Sequence, residues 1–311
     1  MLVSLVLLSI GALAAVLAPR LVSRADWLER EPIVALWVWQ CVVVAVLLSF
    51  ALSMTFSAAA AWQLVRGQVF APAPTAVVDA YALGTDEPWA AALAVALACG
   101  GLWTLAMLTR EITGARTRRK RRRAELLVRA PLMPGETTAG DRLVVLEGAR
   151  PGAWWLPGAA PQLVVTTAAL RRLKGRQLDA VLAHEHGHAR FRHDWLLHCS
   201  AALANGFPQI PVFAAFRDEM HRLVELAADD VASKRFGRLT IALALVELNE
   251  DRGVFGPCPA PDAQLPQRVH RLLSATPRLT AGRRLRLTAA AAFVPVVPLL
   301  VAFVPAILAL G

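Results

Sequence analysis

The uncharged run from Ile33 to Val65 limits this chain more than any other feature. A run of that length without Asp, Glu, Lys or Arg does not sit on a water-soluble domain. As a helix rising about 1.5 Å per residue it outreaches the ~30 Å of a bilayer core, so it predicts a membrane helix that tilts or continues past the interface. Composition agrees: 56% of the residues are hydrophobic and only 18% charged, with a mean hydropathy of +0.49, too apolar for an ordinary soluble domain. Spans are expected at about residues 2–18, 33–58, 89–108 and 287–310, the last kinked by Pro295, Pro298 and Pro305. A cleaved signal peptide at the N-terminus is the alternative for the first span. No Lys or Arg precedes its apolar run, however, whereas Arg20, Arg24 and Arg30 follow it.

Charge orients these spans. Between the second and third, Arg66 is the one basic residue beside Asp79, Asp86 and Glu87; directly after the third come Arg110, Arg116, Arg118, Arg119, Lys120, Arg121, Arg122 and Arg123. Arg278, Arg283, Arg284 and Arg286 precede the fourth. Basic residues stay in the cytoplasm. The expected organisation is three membrane helices in residues 1–109, a cytoplasmic domain over 110–286 and a fourth helix in 287–311, in a multi-pass plasma-membrane protein with both termini extracytoplasmic. The net charge of +10 is then a topology signal that can also rest on anionic headgroups. With no recognition motif and no aromatics among the arginines, no direct nucleic-acid binding is expected. Cys41, Cys99, Cys199 and Cys258 lack paired-ligand spacing and are read as unpaired thiols.

Within the middle segment, strands are expected at Leu143–Leu146 and Leu163–Thr166, separated by an irregular Gly/Pro/Trp-rich loop over Gly148–Pro161. Helical texture follows at Ala168–Leu173, Leu178–Phe191, Trp195–Ala204, Val212–Leu226 and Leu239–Leu248, with another irregular tract over Gly253–Pro266. The stretch Trp195–Phe216 is apolar enough to suggest a fifth span. Asn205, Gly206, Pro208 and Pro211 interrupt it, so it is read as a bent helical hairpin near the membrane surface.

The chemistry lies in His184-Glu185-His186-Gly187-His188. On a helix, His184 and His188 project from one face and can share a metal ion, with Glu185 beside them to carry a proton. The bland alternative is an exposed His/Glu-rich face without metal. His186 faces away. A catalytic zinc needs a third protein ligand, and downstream Glu225 and Asp229 stand one helical turn apart: Glu225 to coordinate, Asp229 to accept the N–H of a ligating histidine. Asp230 is read as solvated or capping. Zinc chemistry then gives peptide hydrolysis with Glu185 as general base. An oxyanion donor is sought first in His221 or Arg222, with His193 and His270 behind them; Tyr81, the one tyrosine, falls in the expected outer loop. The strand near Leu163–Thr166 is a candidate edge for holding an extended substrate.

His184-Glu185-x-x-His188 followed by Glu225-Leu-Ala-Ala-Asp229 resembles the gluzincin pattern of integral-membrane metallopeptidases. Leu178-Asp-Ala-Val-Leu-Ala-His-Glu, the Phe207-Pro208 turn and Gln267-Arg-Val-His-Arg-Leu-Leu extend the likeness. It looks most similar to the BlaR/MecR-type antirepressor proteases, with HtpX-type and CAAX prenyl endopeptidases as relatives. This implies a mainly α membrane protein of about four transmembrane helices carrying an α+β zincin-like domain with a small sheet. It also implies one zinc per chain and a protein substrate at the cytoplasmic face, such as a repressor or a membrane protein. HtpX-type proteins usually place two apolar helices between the second histidine and the acidic ligand, where this chain has one interrupted stretch. The β-lactam-sensing members carry a further domain after the last membrane helix, and the sequence stops at Gly311, so β-lactam sensing is not expected. Two other readings remain at this stage. One is a zinc-binding receptor or scaffold without turnover. The other is a transporter with an accidental motif, which the absence of charge in the spans opposes.

Overall fold

The computed structural model describes residues 2–66, 88–129, 142–156, 162–249, 264–274 and 277–310. Tyr81, Cys258 and most of the Gly253–Pro266 tract lie outside the described residues. Among the described residues the chain is mainly helical, with four helices long and apolar enough to cross a membrane and one small sheet.

Helix α1 (Leu2–Val22) packs along α2 (Pro32–Arg66), whose apolar run forms one continuous helix, as its lack of charge and of internal Gly or Pro requires. Gly11 makes the close approach possible: a Cβ there would lie 2.9 Å from the Ser49 Cβ. Helix α3 (Pro88–Arg129) does not stop at Leu108 but runs unbroken through the arginine cluster. Arginine is a good helix former, so nothing in that segment ends the helix once water replaces lipid.

The sheet has three strands rather than two: β1 (Arg142–Leu146), β2 (Ala153–Leu156) and β3 (Gln162–Thr166), in the order β1-β3-β2. The loop expected over Gly148–Pro161 thus contains a strand. Its Ala-Trp-Trp-Leu core pairs antiparallel with β3, Trp154 opposite Val164 and Trp155 opposite Leu163, and burial of Ala153 and Leu156 secures it. Because β1 pairs parallel to β3 on the other side, β3 is the central strand. The candidate substrate edge at Leu163–Thr166 is therefore corrected, since both of its edges are occupied.

Thr166 caps α4 (Thr167–Arg172) by accepting from the Ala169 N–H, and α5 (Arg176–Arg190) follows with the His-Glu motif near its end. Helices α6 (His193–Gly206) and α7 (Pro211–Phe236) form the expected hairpin. Leu203, Val212, Phe213, Phe216 and Met220 share one core with Ala35, Trp39, Val43 and Val46 of α2, the Trp39 and Phe216 rings 6.3 Å apart. The hairpin thus packs beside the first half of the long apolar run.

Helices α8 (Arg238–Asn249) and α9 (Gln264–Leu273) pack Ile241, Leu245 and Leu272 against Ala180 of α5 and Ala232 of α7. The fourth span is broken in two, α10 (Ala281–Phe293) and α11 (Val296–Leu310), at Pro295, whose missing N–H interrupts the ladder as expected. The connection between α1 and α2 docks on α7, α9 and α10: Arg222 donates to Glu29 Oε1 (2.9 Å), Arg271 to the Glu29 carbonyl (2.7 Å), and Arg284 stands 3.9 Å from Glu31.

Candidate metal centre

Helices α5 and α7 cross closely because the residues between them are small. A Cβ on Gly187 would lie 3.3 Å from the Ala228 Cα, and Ala227, Ala228 and Ala232 are fully buried. The glycine inside the His-Glu motif and the Leu-Ala-Ala step before Asp229 are two halves of one contact. It brings His184 and His188 of α5 against Glu225 of α7.

These three residues present ligand atoms within 4.8 Å of one another. The two Nε2 atoms are 3.1 Å apart, His184 Nε2 is 3.4 Å from Glu225 Oε2, and His188 Nε2 is 3.5 Å from Glu225 Oε1. Tetrahedral zinc with bonds of ~2.0–2.1 Å places neighbouring ligands roughly 3.3 Å apart. The donor set, two imidazoles and a carboxylate, is one that zinc takes in hydrolytic sites. Residues and spacing both fit.

Around them lies an ordered shell. Asp229, fully buried, stands 3.0 Å from His184 Nδ1, the place the sequence anticipates for it. Arg268 of α9 is a residue that sequence reasoning missed. It donates to both oxygens of Asp229 (2.7 and 2.9 Å) and stands 2.9 Å from Glu225 Oε2, itself 5% exposed. Only its place in the Gln267-to-Leu273 resemblance hinted at it. Asp230 is corrected: it is not solvated but pairs with Arg271 (2.9 Å) and Arg278 (3.1 Å). Arg222 is committed to Glu219 and Glu29, at the contact with the α1–α2 connection. His221 lies half-buried one turn before Glu225, on the same side of α7. His186 stays outside the cluster, bonded to the Leu182 carbonyl (2.7 Å). His193 is buried against His188, its Nδ1 3.0 Å from the His188 Nδ1. His270 holds no place in the cluster.

Burial and charge sort the protons. Burial pushes the Glu185 carboxyl up to about 7, the Glu225 charge adding to it, while His184, the Trp155 N–H and Arg268 pull the other way. For Glu225 and Asp229 burial acts upward too, but Arg268 and His188 or His184 outweigh it and hold both below the usual carboxylate range. Burial acts to lower His184, yet its contacts with Asp229 and Glu225 raise it to about 10. Burial brings His188 down to about 4 and His193 to about 3, so both rings are neutral at physiological pH. A neutral imidazole is the form that binds metal, so His188 is ready as it stands, whereas His184 must release a proton as metal binds.

Glu185 Oε2 accepts the backbone N–H of Trp155 (3.0 Å). That N–H therefore points away from β3, and the outer edge of β2 faces the metal-ligand cluster.

Residues 116–245 match the model of peptidase family M48, a match that supports a zinc metallopeptidase of that type and stops short of α9 and Arg268. No curated protein and no solved structure matches the chain.

Proposed function

We propose that this protein is a membrane-bound zinc endopeptidase that cleaves a polypeptide at the cytoplasmic membrane surface. The observation that carries this reading is the convergence of His184, His188 and Glu225 to within 4.8 Å beside a buried Glu185. In it, those three residues hold the zinc and Asp229 fixes the His184 ring. Zinc at such a site supplies an acidified water and a polarised scissile carbonyl. Glu185, held near neutrality, takes the proton of the attacking water and returns it to the leaving amine. An extended substrate pairs with the outer edge of β2, replacing the Trp155 N–H contact of Glu185 with one of its own carbonyls. His221, a turn from Glu225, is the donor to the developing oxyanion, since Arg222 is occupied by Glu219 and Glu29.

The cytoplasmic assignment is supported by charge. Arg24 and Arg30, the Arg110–Arg123 run and Arg278–Arg286 flank the apolar helices, the 23–31 connection docks on α7 and α9, and basic residues mark the cytoplasm. Within the metallopeptidases, the interrupted stretch between His188 and Glu225 is our ground for a BlaR/MecR-type antirepressor role, with a repressor as substrate; the family match carries the coarser class. The alternative, a zinc-binding receptor without turnover, is separated by one comparison. Cells expressing wild type and Glu185→Gln are compared by N-terminal proteomics. A substrate neo-N-terminus present with wild type and missing with the variant is expected, and identical N-terminomes with zinc bound in both would favour the receptor.

A further inference from the structure

His184 and His188 are not held alike. The Nδ1 of His184 faces a carboxylate, Asp229, at 3.0 Å, whereas the Nδ1 of His188 faces the Nδ1 of another imidazole, His193, at 3.0 Å. Such a pair shares one proton. If His193 carries it, His188 accepts at Nδ1 and its own hydrogen must sit on Nε2, the atom turned toward His184 and Glu225. That tautomer cannot bind metal through Nε2. If His188 carries it, the Nε2 lone pair is free, and His193 is the acceptor with its hydrogen on Nε2.

Several features say that the fold maintains this contact rather than merely permitting it. His193 is 1% exposed, and its Nε2 is buried with no hydrogen-bond partner among the described residues. Leaving a buried polar atom unpaired costs about 1–3 kcal/mol, so another gain must offset it. The turn that delivers His193 is strained as well: Arg192 has φ 52° and ψ 41°, the one non-glycine residue with positive φ among those described. A left-handed residue costs roughly 1–2 kcal/mol. Without that reversal α5 would run on, and residue 193 would project away from His188, five positions earlier on the helix. Phe191 stacks on the His193 ring, 5.8 Å between centroids and 17° between planes, and fixes its tilt.

We propose that His193 is a positioning residue: it accepts the Nδ1–H of His188 and so holds that ligand in the tautomer and orientation that leave Nε2 open to metal. The inference rests on the metallopeptidase reading and assigns to an imidazole the place that a carboxylate or carbonyl takes beside most metal-binding histidines. Neutral support of this kind donates less charge through His188 than Asp229 does through His184.

The test compares the detergent-solubilised full chain as wild type, His193→Asn, His193→Gln and His193→Leu. Asn can place its Oδ1 where the His Nδ1 stands and accept the same hydrogen. Gln keeps size and polarity but reaches toward the Nε2 position, and Leu accepts nothing. Zinc retention is read by competition with a chromophoric chelator, the visible spectrum of the cobalt-loaded protein reports ligand geometry, and thermal unfolding of the metal-free forms reports packing. His193→Leu and His193→Gln are expected to lose about 10–100-fold in zinc affinity and to show an altered cobalt spectrum, while His193→Asn stays close to wild type in both. Gln keeps the test decisive if Leu does not fold. Leu or Gln variants that hold zinc like wild type would overturn the inference. So would equal weakening of Asn and Gln that tracks metal-free stability, the mark of packing alone. A wild type that takes up no zinc would instead overturn the metallopeptidase reading, and this inference with it.

Discussion

A carboxyl buried as deeply as that of Glu185 tends to keep its proton, yet it must lose that proton to act as a base. Its value near 7 in the metal-free site means that the active carboxylate is present above that pH and lost as pH falls through it. A metal cation beside it acts downward, so kcat/KM is expected to rise with pH through an acid limb centred at or below about 7. A pH–rate profile checks this, and a rate flat from pH 5 to 8 would remove Glu185 from the role. Glu185→Gln keeps the shape and loses the base: zinc content stays near one per chain while cleavage disappears. Arg268 presents the converse problem, a buried cation held by two carboxylates. Arg268→Met leaves Asp229 without its bidentate partner. Breaking a buried pair costs about 3–5 kcal/mol, which thermal unfolding would register together with weaker zinc retention, and an unchanged melting temperature would contradict it.

Two elements set the geometry between which these residues work, the α5–α7 crossing and the edge of β2. At the crossing a methyl on residue 187 meets α7 backbone at 3.3 Å, and a branched side chain meets it with more bulk. Gly187→Val is therefore expected to push Glu225 away from the histidines and abolish zinc binding, with secondary structure by circular dichroism nearly unchanged. At the strand, Trp155→Pro removes one N–H without touching the ladder to β3, since that hydrogen points to Glu185. If β2 aligns substrate, the variant should keep zinc and lose on the order of tenfold in kcat/KM, the worth of one hydrogen bond to a charged or reacting group. The same elements explain what the sequence could tell. His184, His188, Glu225 and Asp229 were legible because each pair obeys the four-residue period of a helix, which is local. Arg268 was not, because it reaches Asp229 across 39 residues of chain, nor was Glu29, 193 residues from Arg222. Strand β2 was hidden because its four residues lie in a Gly- and Pro-rich stretch and are held by pairing with β3, a partner that composition does not reveal. His193 was noticed only as a reserve oxyanion donor, because its contact with His188 depends on the Arg192 turn, which no propensity signals.

For the molecule as a whole, four candidate spans and one metal-ligand cluster imply a definite arrangement across the bilayer. With all four candidate helices crossing, α2 carries the chain from the side of Glu29 and Arg222 to the other, and α3 brings it back before the arginine run begins. On that arrangement the α1–α2 connection, the metal-ligand cluster and the start of α10 share one side, together with every Lys and Arg of the chain except Arg66. The energetic reason is that translocating a cluster such as Arg116–Arg123 against the membrane potential costs about 2.3 kcal/mol per charge per 100 mV. A chain with Cys41, Cys99, Cys199 and Cys258 replaced by serine, carrying either Lys174→Cys on the exposed turn before α5 or Thr75→Cys in the 67–87 connection, makes this measurable. A membrane-impermeant maleimide applied to intact cells is expected to label the cysteine at 75 and to reach the one at 174 only after permeabilisation. The reverse pattern would place the metal-ligand cluster on the outer face and overturn the proposed cytoplasmic substrate pool. Labelling of both from outside would mean that α3 does not cross, and the docking of the α1–α2 connection on α7 and α9 would then need a different explanation.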